Sequence, residues 1–235
     1  MELKQREELK KIYKPKNLDP TYLKNRRKFV EYLYHLGNNS KAGQIAIENA
    51  IALLDRLYQT QSCTSDIDTI YRDAIVCLTL AMKNVFQIDE TYEPNLEHFD
   101  RSQRRVLNRR EIEVFELLNF NTNVTTPSEF VAWYASKGVM FQDDFCEESD
   151  AMFLDLKSYE TFVRKTKSIT KMMTIGYESQ EYRPSLIAAV IIAAARDASM
   201  IKRPWREELT ALTGYDETVI GPILQRTYKQ WLDLE

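Results

Sequence analysis

The sequence has few of the residues that form tight turns or catalytic and metal sites. Its 235 residues include only six glycines and seven prolines, so many short strands joined by tight turns are not expected. Its two histidines, His35 and His98, lie far from any cysteine in the sequence, and no glycine-rich phosphate loop or nucleophile elbow is present. The composition therefore favours a helical protein that has no catalytic residues, cofactor, metal site or small-molecule substrate.

Cysteine is also scarce, and Cys63, Cys77 and Cys146 are widely separated. An odd number of cysteines without metal or redox spacing is typical of a reduced, intracellular compartment. The charged N-terminus has no apolar segment of the kind found in signal peptides. The longest apolar run, residues 186–195, is much shorter than the roughly 20 residues that cross a bilayer. No membrane partner is expected.

An excess of positive charge is missing as well. The net charge is −3, whereas proteins that bind nucleic acids usually have a basic excess or a basic face. Local basic clusters remain at residues 26–28 and among the arginines of 101–110. Solvated helix faces are the favoured interpretation of these clusters, and a basic patch is the alternative. No nucleic-acid partner is expected.

Apolar residues recur at helical spacing through most of the chain. Residues 66–86 are apolar over most of a helix circumference, which is typical of the central helix of a bundle, and residues 184–198 repeat this pattern in the second half. The predicted helices are 2–13, 21–36, 41–59, 66–86, 101–119, 127–137, 157–175, 184–198, 205–213 and 216–233. Gly37 begins the predicted turn after the second of them.

A helix start at Pro127 follows a polar connector, and we place a domain boundary there. The predicted organisation is an N-terminal helix and linker at 1–19, one helical bundle at 20–125 and a second at 126–235. An acidic stretch at 143–150 is predicted to be a loop or partly disordered. In such a loop, solvation accounts for the neighbouring carboxylates Asp143 and Asp144.

At this point the sequence resembles the cyclin family over nearly its whole length, and most closely in pattern the A- and B-type cyclins. The matching phrases are RRKFVEYL at 26–33, AIALLDR at 50–56, LTLAMK at 78–83, EIEVFELLNF at 111–120, YRPSLIAA at 182–189, AR at 195–196 and the segment 205–215 with its LTGY ending. Their order and spacing carry the resemblance. It implies an all-α fold: two tandem five-helix cyclin boxes preceded by an extra N-terminal helix.

Four residues match the signature of the first cyclin box: Arg26, Asp55, Lys83 and Glu111. The resemblance implies a structural ion pair between Arg26 and Asp55. It also implies that Lys83 and Glu111 form hydrogen bonds with main-chain groups of a kinase near its C helix. The alternatives are that Lys83 extends its amine from a buried helix to water and that Glu111 balances the charges of nearby arginines.

Three aromatic residues are candidates for the same interface. Phe115 and Phe120 match apolar interface positions of the family, with a place in the bundle core as the alternative, and Phe86 follows Lys83 by one helical turn. The run after Lys83 departs from the family, which commonly has an aromatic residue and two acids there. The leucine that the family has near the start of its third helix falls on Arg72, and the apolar substrate-docking patch of the A- and B-type cyclins is altered, because Asn25, Lys28 and Tyr32 occupy its positions.

The resemblance implies a non-catalytic regulatory subunit, located in the nucleus, the cytoplasm or both. Such a subunit binds and activates a cyclin-dependent Ser/Thr protein kinase, with cell-cycle control as the expected process. The alternative is a scaffold or adaptor of the same fold that binds proteins without activating a kinase. Transcription factors that share the fold are typically basic and carry an N-terminal zinc ribbon, which this sequence does not match.

Overall fold

The computed structural model describes residues 18–60, 66–86, 101–144 and 156–232. These residues form two compact units that divide between Thr126 and Pro127, one residue after the boundary predicted from the sequence. Across the described ranges the regular structure is helical, with nine α-helices and one 3₁₀ helix and no strand. The all-α fold class is therefore confirmed.

The first unit contains four of these helices: α1 (Pro20–Asn39), α2 (Gly43–Thr60), α3 (Ile67–Phe86) and α4 (Arg101–Leu117). Helix α3 packs against each of the other three, and every residue from 73 to 82 is buried. A helix that is apolar on all sides has to be enclosed by its neighbours. The prediction that this segment is the central helix of the first bundle is confirmed.

The second unit contains α5 (Pro127–Lys137), α6 (Leu156–Ile175), a 3₁₀ helix (Tyr177–Glu181), α7 (Pro184–Asp197), α8 (Glu207–Thr213) and α9 (Glu217–Leu232). Helix α7 packs against the other four α-helices, and every residue from 187 to 196 is buried. Five of these residues are alanines, whose small side chains allow neighbouring helices to approach closely. This helix is the predicted centre of the second bundle.

Helix α1 is longer than predicted, because Gly37 lies inside it. A Cβ atom at Gly37 would lie 2.5 Å from Cγ1 of Ile47, so the glycine allows α1 and α2 to pack closely. The turn comes four residues later, where Lys41 and Gly43 adopt positive φ angles of 54° and 74°. The prediction that the helix ends at residue 36 is wrong, since packing against α2 overrides the tendency of glycine to end a helix.

Arg196 lies at the end of α7 and has no exposed surface. Its guanidinium forms two hydrogen bonds with Asp144, from Nη1 to Oδ2 and from Nη2 to Oδ1, both at 2.7 Å. It also donates to the main-chain carbonyls of Val139, Arg203 and Pro204. A buried charge is tolerated when it is paired and fully hydrogen-bonded, and here these bonds hold the segment after α5 and the loop after α7.

The prediction that both neighbouring carboxylates are solvated loop residues is wrong for Asp144, which is buried against Arg196. Asp143 is exposed and accepts a hydrogen bond from Arg206 Nη1 at 2.7 Å. This bond lowers the pKa of the Asp143 carboxyl. Other expectations lie outside the described residues: the helix at 2–13, His98, Cys63, and residues 145–150 of the acidic stretch, which include Cys146.

Candidate functional site

Arg26 of α1 and Asp55 of α2 lie together in the core of the first unit. The distances are 2.7 Å from Arg26 Nε to Asp55 Oδ1 and 2.9 Å from Nη2 to Oδ2. The hydroxyl of Tyr22 donates a further hydrogen bond to Asp55 Oδ1 at 2.7 Å. Burial, reinforced by the Asp55 charge, raises the pKa of Tyr22, so the phenol stays protonated and remains a donor.

Replacing Asp55 with alanine is expected to lower the free energy of unfolding of the first unit by about 3–5 kcal/mol, because Arg26 stays buried without its partner. Urea titration followed by circular dichroism measures the change. The matched control is Arg27→Ala, which removes an exposed pair with Glu31 and should leave the midpoint nearly unchanged. Equal midpoints for the two variants would contradict the structural role of the buried pair.

A second buried carboxylate, Asp73 of α3, fixes the position of α4. Arg110 forms two hydrogen bonds with it, from Nε to Oδ1 at 2.7 Å and from Nη2 to Oδ2 at 2.9 Å. The hydroxyl of Tyr58 donates to Asp73 Oδ2 at 2.8 Å, and the Tyr58 ring stacks on Tyr22 with 4.8 Å between centroids. Hydrogen bonding to Asp73 raises the pKa of Arg110. This network links α1, α2, α3 and α4.

Sequence reasoning did not identify Asp73 as a structural residue. Its signal is a carboxylate inside an otherwise apolar central helix, which has to find a partner when it is buried. The partner lies 37 residues further along the chain, beyond the reach of any local pattern.

Because α4 is fixed in this way, Glu111 lies opposite Lys83 at the end of α3. Lys83 Nζ donates to Glu111 Oε1 at 2.7 Å. The two side chains are 28% and 20% exposed, so the pair is reachable from solvent. Arg110 instead bonds to Asp73 and Glu113. Glu111 therefore pairs with Lys83. Arg110 has other carboxylate partners, contrary to the alternative in which Glu111 balances the charge of this arginine.

Two of the candidate aromatic residues lie one helical turn from a member of this pair, and the third contacts one of those two. Phe86 is one helical turn beyond Lys83 and 45% exposed, and Phe120 is 66% exposed. Phe115, one turn beyond Glu111, is half-buried and meets Phe120 edge to face at 5.3 Å. Phe120 is thus not part of the bundle core. We call Lys83, Phe86, Glu111, Phe115 and Phe120 the Lys83 surface.

A strained turn directs Phe120 outwards. Asn119 and Phe120 have φ angles of 53° and 55°, a conformation that bulky residues rarely adopt. Two hydrogen bonds from the Arg56 guanidinium of α2 hold this turn, one to the carbonyl of Leu118 at 3.0 Å and one to that of Asn121 at 2.9 Å. A strained backbone conformation that surrounding hydrogen bonds maintain is typical of a functional position.

The Lys83 surface combines a charged hydrogen-bonding pair with exposed apolar side chains. Ile112, which follows Glu111 on α4, is also exposed. Exposed aromatic residues beside a small number of polar anchors are typical of a surface that binds another protein.

The positions that match the family's apolar docking patch are occupied differently. Tyr32 of α1 packs edge to face against Tyr71 of α3, with 5.0 Å between ring centroids. Burial raises the pKa of Tyr32, and the nearby Tyr71 adds a smaller increase. Asn25 donates to the carbonyl of Thr21 at 3.0 Å. The side chains of Asn25 and Tyr32 therefore make polar and aromatic contacts within the first unit.

In the four described ranges no cluster of three or more His, Cys, Asp or Glu side chains has an arrangement that could hold a metal ion. Of the helices described, none combines the length and apolar character needed to cross a membrane.

Comparison with known families matches both halves of the chain. Residues 1–123 match the family model described as the N-terminal domain of cyclins. Residues 126–231 match the model described as the C-terminal domain of cyclins. All five residues of the Lys83 surface lie within the first match.

The chain is also similar in sequence to individual proteins named as cyclins. The chain is 26% identical over 211 residues to the Cyclin-J-like protein of Mus musculus, covering 82% of this chain and 51% of the relative. It is 27% identical over 212 residues to Cyclin-A1 of Homo sapiens, covering 87% and 40%. It is 25% identical over 211 residues to Cyclin-J of Xenopus laevis, covering 86% and 53%. The chain thus spans about half the length of these relatives, or less.

Proposed function

Because this chain belongs to the cyclin family, we propose that it binds and activates a cyclin-dependent Ser/Thr protein kinase in cell-cycle control. Members of this family are regulatory subunits and are generally not catalytic. In this proposal residues 1–19 are an N-terminal helix and linker, 20–125 are the first cyclin box and 126–235 are the second. The protein acts inside the cell, in the nucleus, the cytoplasm or both, and needs no cofactor.

The observation that carries this proposal is the ion pair between Lys83 and Glu111. With one hydrogen bond made between them, the ammonium keeps two further donors and the carboxylate keeps its second oxygen as an acceptor. A donor and an acceptor side by side match the main-chain N–H and C=O groups at the end of a kinase helix. Pairing also holds both side chains in position before binding, which reduces the entropic cost of ordering them.

The exposed aromatic residues supply the apolar part of the contact. Phe86 and Phe120 together present large ring surfaces beside the pair, and aromatic anchors near the centre of an interface carry a large share of binding energy. Phe115 packs edge to face against Phe120 and helps to hold the Phe120 ring in position. The polar pair would then set the orientation of the kinase and the rings would supply affinity.

Activation follows from binding one kinase conformation better than another. A protein kinase is active when its strand lysine pairs with the C-helix glutamate and its activation loop is ordered. A fixed surface that binds only the inward C helix shifts the population to the active state, and a shift from 1:99 to 99:1 needs about 5.5 kcal/mol of differential affinity. The Asp73 and Arg110 pair supports this role because it fixes α4 relative to α3.

The test is the activity of each cyclin-dependent kinase from the same organism, measured alone and with this protein on a peptide substrate. Strong activation of at least one kinase is expected, with formation of a complex in size-exclusion chromatography. Absence of activation across the complete panel would contradict the activator proposal.

One observation favours a second candidate, a scaffold that binds proteins without activating a kinase. Asn84, Val85 and Phe86 follow Lys83, where the family commonly has an aromatic residue and two acids. Asn84 contacts the carbonyl of Thr122 within the unit at 3.3 Å. Co-purification with a kinase whose activity stays unchanged would support the scaffold.

A further inference from the structure

A groove of about 380 Å³ lies between the first half of α3 and helix α4. Arginines line it from both sides: Arg72 from α3, and Arg105, Arg109 and Arg110 from α4. This groove is separate from the Lys83 surface. Along α3, Arg72 and Lys83 are eleven residues apart, which corresponds to about 16 Å of helix.

The charges in this groove do not balance. Among the described residues that line it, two carboxylates, Asp73 and Glu113, lie beside the four arginines, and both bond to Arg110. Among the residues that the structure describes, Arg105 and Arg109 have no ion-pair partner. The groove therefore has an excess of positive charge next to solvent.

Three of the guanidiniums remain available to a ligand. Arg72, Arg105 and Arg109 are exposed, and the bonds of Arg72 are to neutral groups, the Thr69 hydroxyl at 2.9 Å and the carbonyl of Asp68 at 3.4 Å. Arg105 and Arg109 lie one turn apart on α4, a spacing at which like charges destabilise a helix. An anion bound between them would offset this repulsion.

We propose that this groove binds a phosphorylated serine or threonine within an acidic peptide segment. Guanidinium groups bind phosphate through paired hydrogen bonds, and several of them around one site match a doubly charged group better than a single carboxylate. The volume of about 380 Å³ is large enough for a phosphorylated side chain. An extended nucleic acid fits less well, because Val106 is the one apolar residue among the described residues of the lining, and none of these has an aromatic ring for base stacking.

This inference goes beyond the proposed kinase contact and is measurable on the chain alone. Residues 109 and 111 of α4 are two positions apart, so their side chains leave the helix in nearly opposite directions. Kinase and phosphopeptide could therefore bind at the same time. In such a complex the groove would retain a protein that has already been phosphorylated; that consequence rests on the proposed function, whereas binding of the peptide does not.

The experiment is a fluorescence-anisotropy titration of a labelled ten-residue peptide, rich in Asp and Glu with one central phosphoserine. Wild-type protein is expected to bind it at least about tenfold more tightly than the same peptide with serine, since the phosphate adds charge-assisted hydrogen bonds. The double variant Arg105→Gln/Arg109→Gln is expected to lose this preference. Arg72→Gln, on the opposite wall, is expected to weaken binding independently.

The matched control is Arg164→Gln/Lys167→Gln, which removes two exposed positive charges from α6 of the second unit. It is expected to bind the phosphopeptide like wild type, and circular dichroism checks that every variant is folded. Equal affinity for the phosphoserine and serine peptides, or equal loss in the groove and control variants, would overturn the proposal. Tighter binding of a single-stranded oligonucleotide, or of inorganic phosphate alone, would overturn the assignment to a peptide.

Discussion

Lys83→Glu is expected to weaken binding of the partner kinase by about 100-fold and to abolish activation at working concentrations. Removing one member of a hydrogen-bonded charge pair at an interface costs about 2–5 kcal/mol, and about 1.4 kcal/mol corresponds to a tenfold change in Kd. The substitution removes the donor and places a second carboxylate opposite Glu111, so that the two side chains repel each other. Isothermal titration calorimetry with the kinase identified in the activity panel measures the loss.

The charge-swapped double variant Lys83→Glu/Glu111→Lys separates a kinase contact from a role in folding. It restores an ion pair between α3 and α4, so thermal stability is expected to return to near the wild-type value. Activation is not expected to return, because the donor and the acceptor have exchanged positions relative to the kinase main chain. Full recovery of activation by the double variant would show that the pair acts only through the structure of the first unit.

Arg196→Met is expected to lower the free energy of unfolding of the second unit by about 3–5 kcal/mol, because Asp144 loses its main partner while buried. Three main-chain carbonyls also lose their donor. Since whole domains are stable by only about 5–15 kcal/mol, such a loss is a large part of the total. Tryptophan fluorescence in a urea titration reports on this unit selectively, because all three tryptophans of the sequence lie at positions 133, 205 and 231.

The control for this experiment is Arg203→Ala in the loop that follows α7. The Arg203 side chain is exposed, and the carbonyl that accepts from Arg196 belongs to its main chain, so the contact survives the substitution. A change within about 0.5 kcal/mol is expected for an exposed position of this kind. If Arg196→Met and Arg203→Ala unfolded at the same urea concentration, the buried guanidinium would not be the element that stabilises the unit.

The helices could be predicted from the sequence because their information is local. Apolar spacing located α3 and α7 as the two central helices, and the start at Pro127 is where α5 begins. The role of Lys83 and Glu111 could not be derived in this way. It came from a resemblance, and their mutual hydrogen bond became apparent only in the fold.

Two of the residues that sequence reasoning misjudged are charged residues with distant partners. Asp144 looks like one of many acids in a solvated stretch, and Arg110 looks like one of many bases on an exposed helix. Each is defined by a partner 52 or 37 residues away. Local composition describes the average environment of a segment, whereas burial of one side chain depends on which helix packs over it.

The position of α4 between two surfaces affects how the binding preferences of this protein can change. Its axis is anchored by Arg110, while Glu111 and Arg109 on either side of that anchor belong to two different surfaces. Substitutions on one surface therefore leave the backbone that carries the other unchanged. Under the two proposals, preference for a kinase and preference for a phosphopeptide would vary as independent traits, although a single helix carries both.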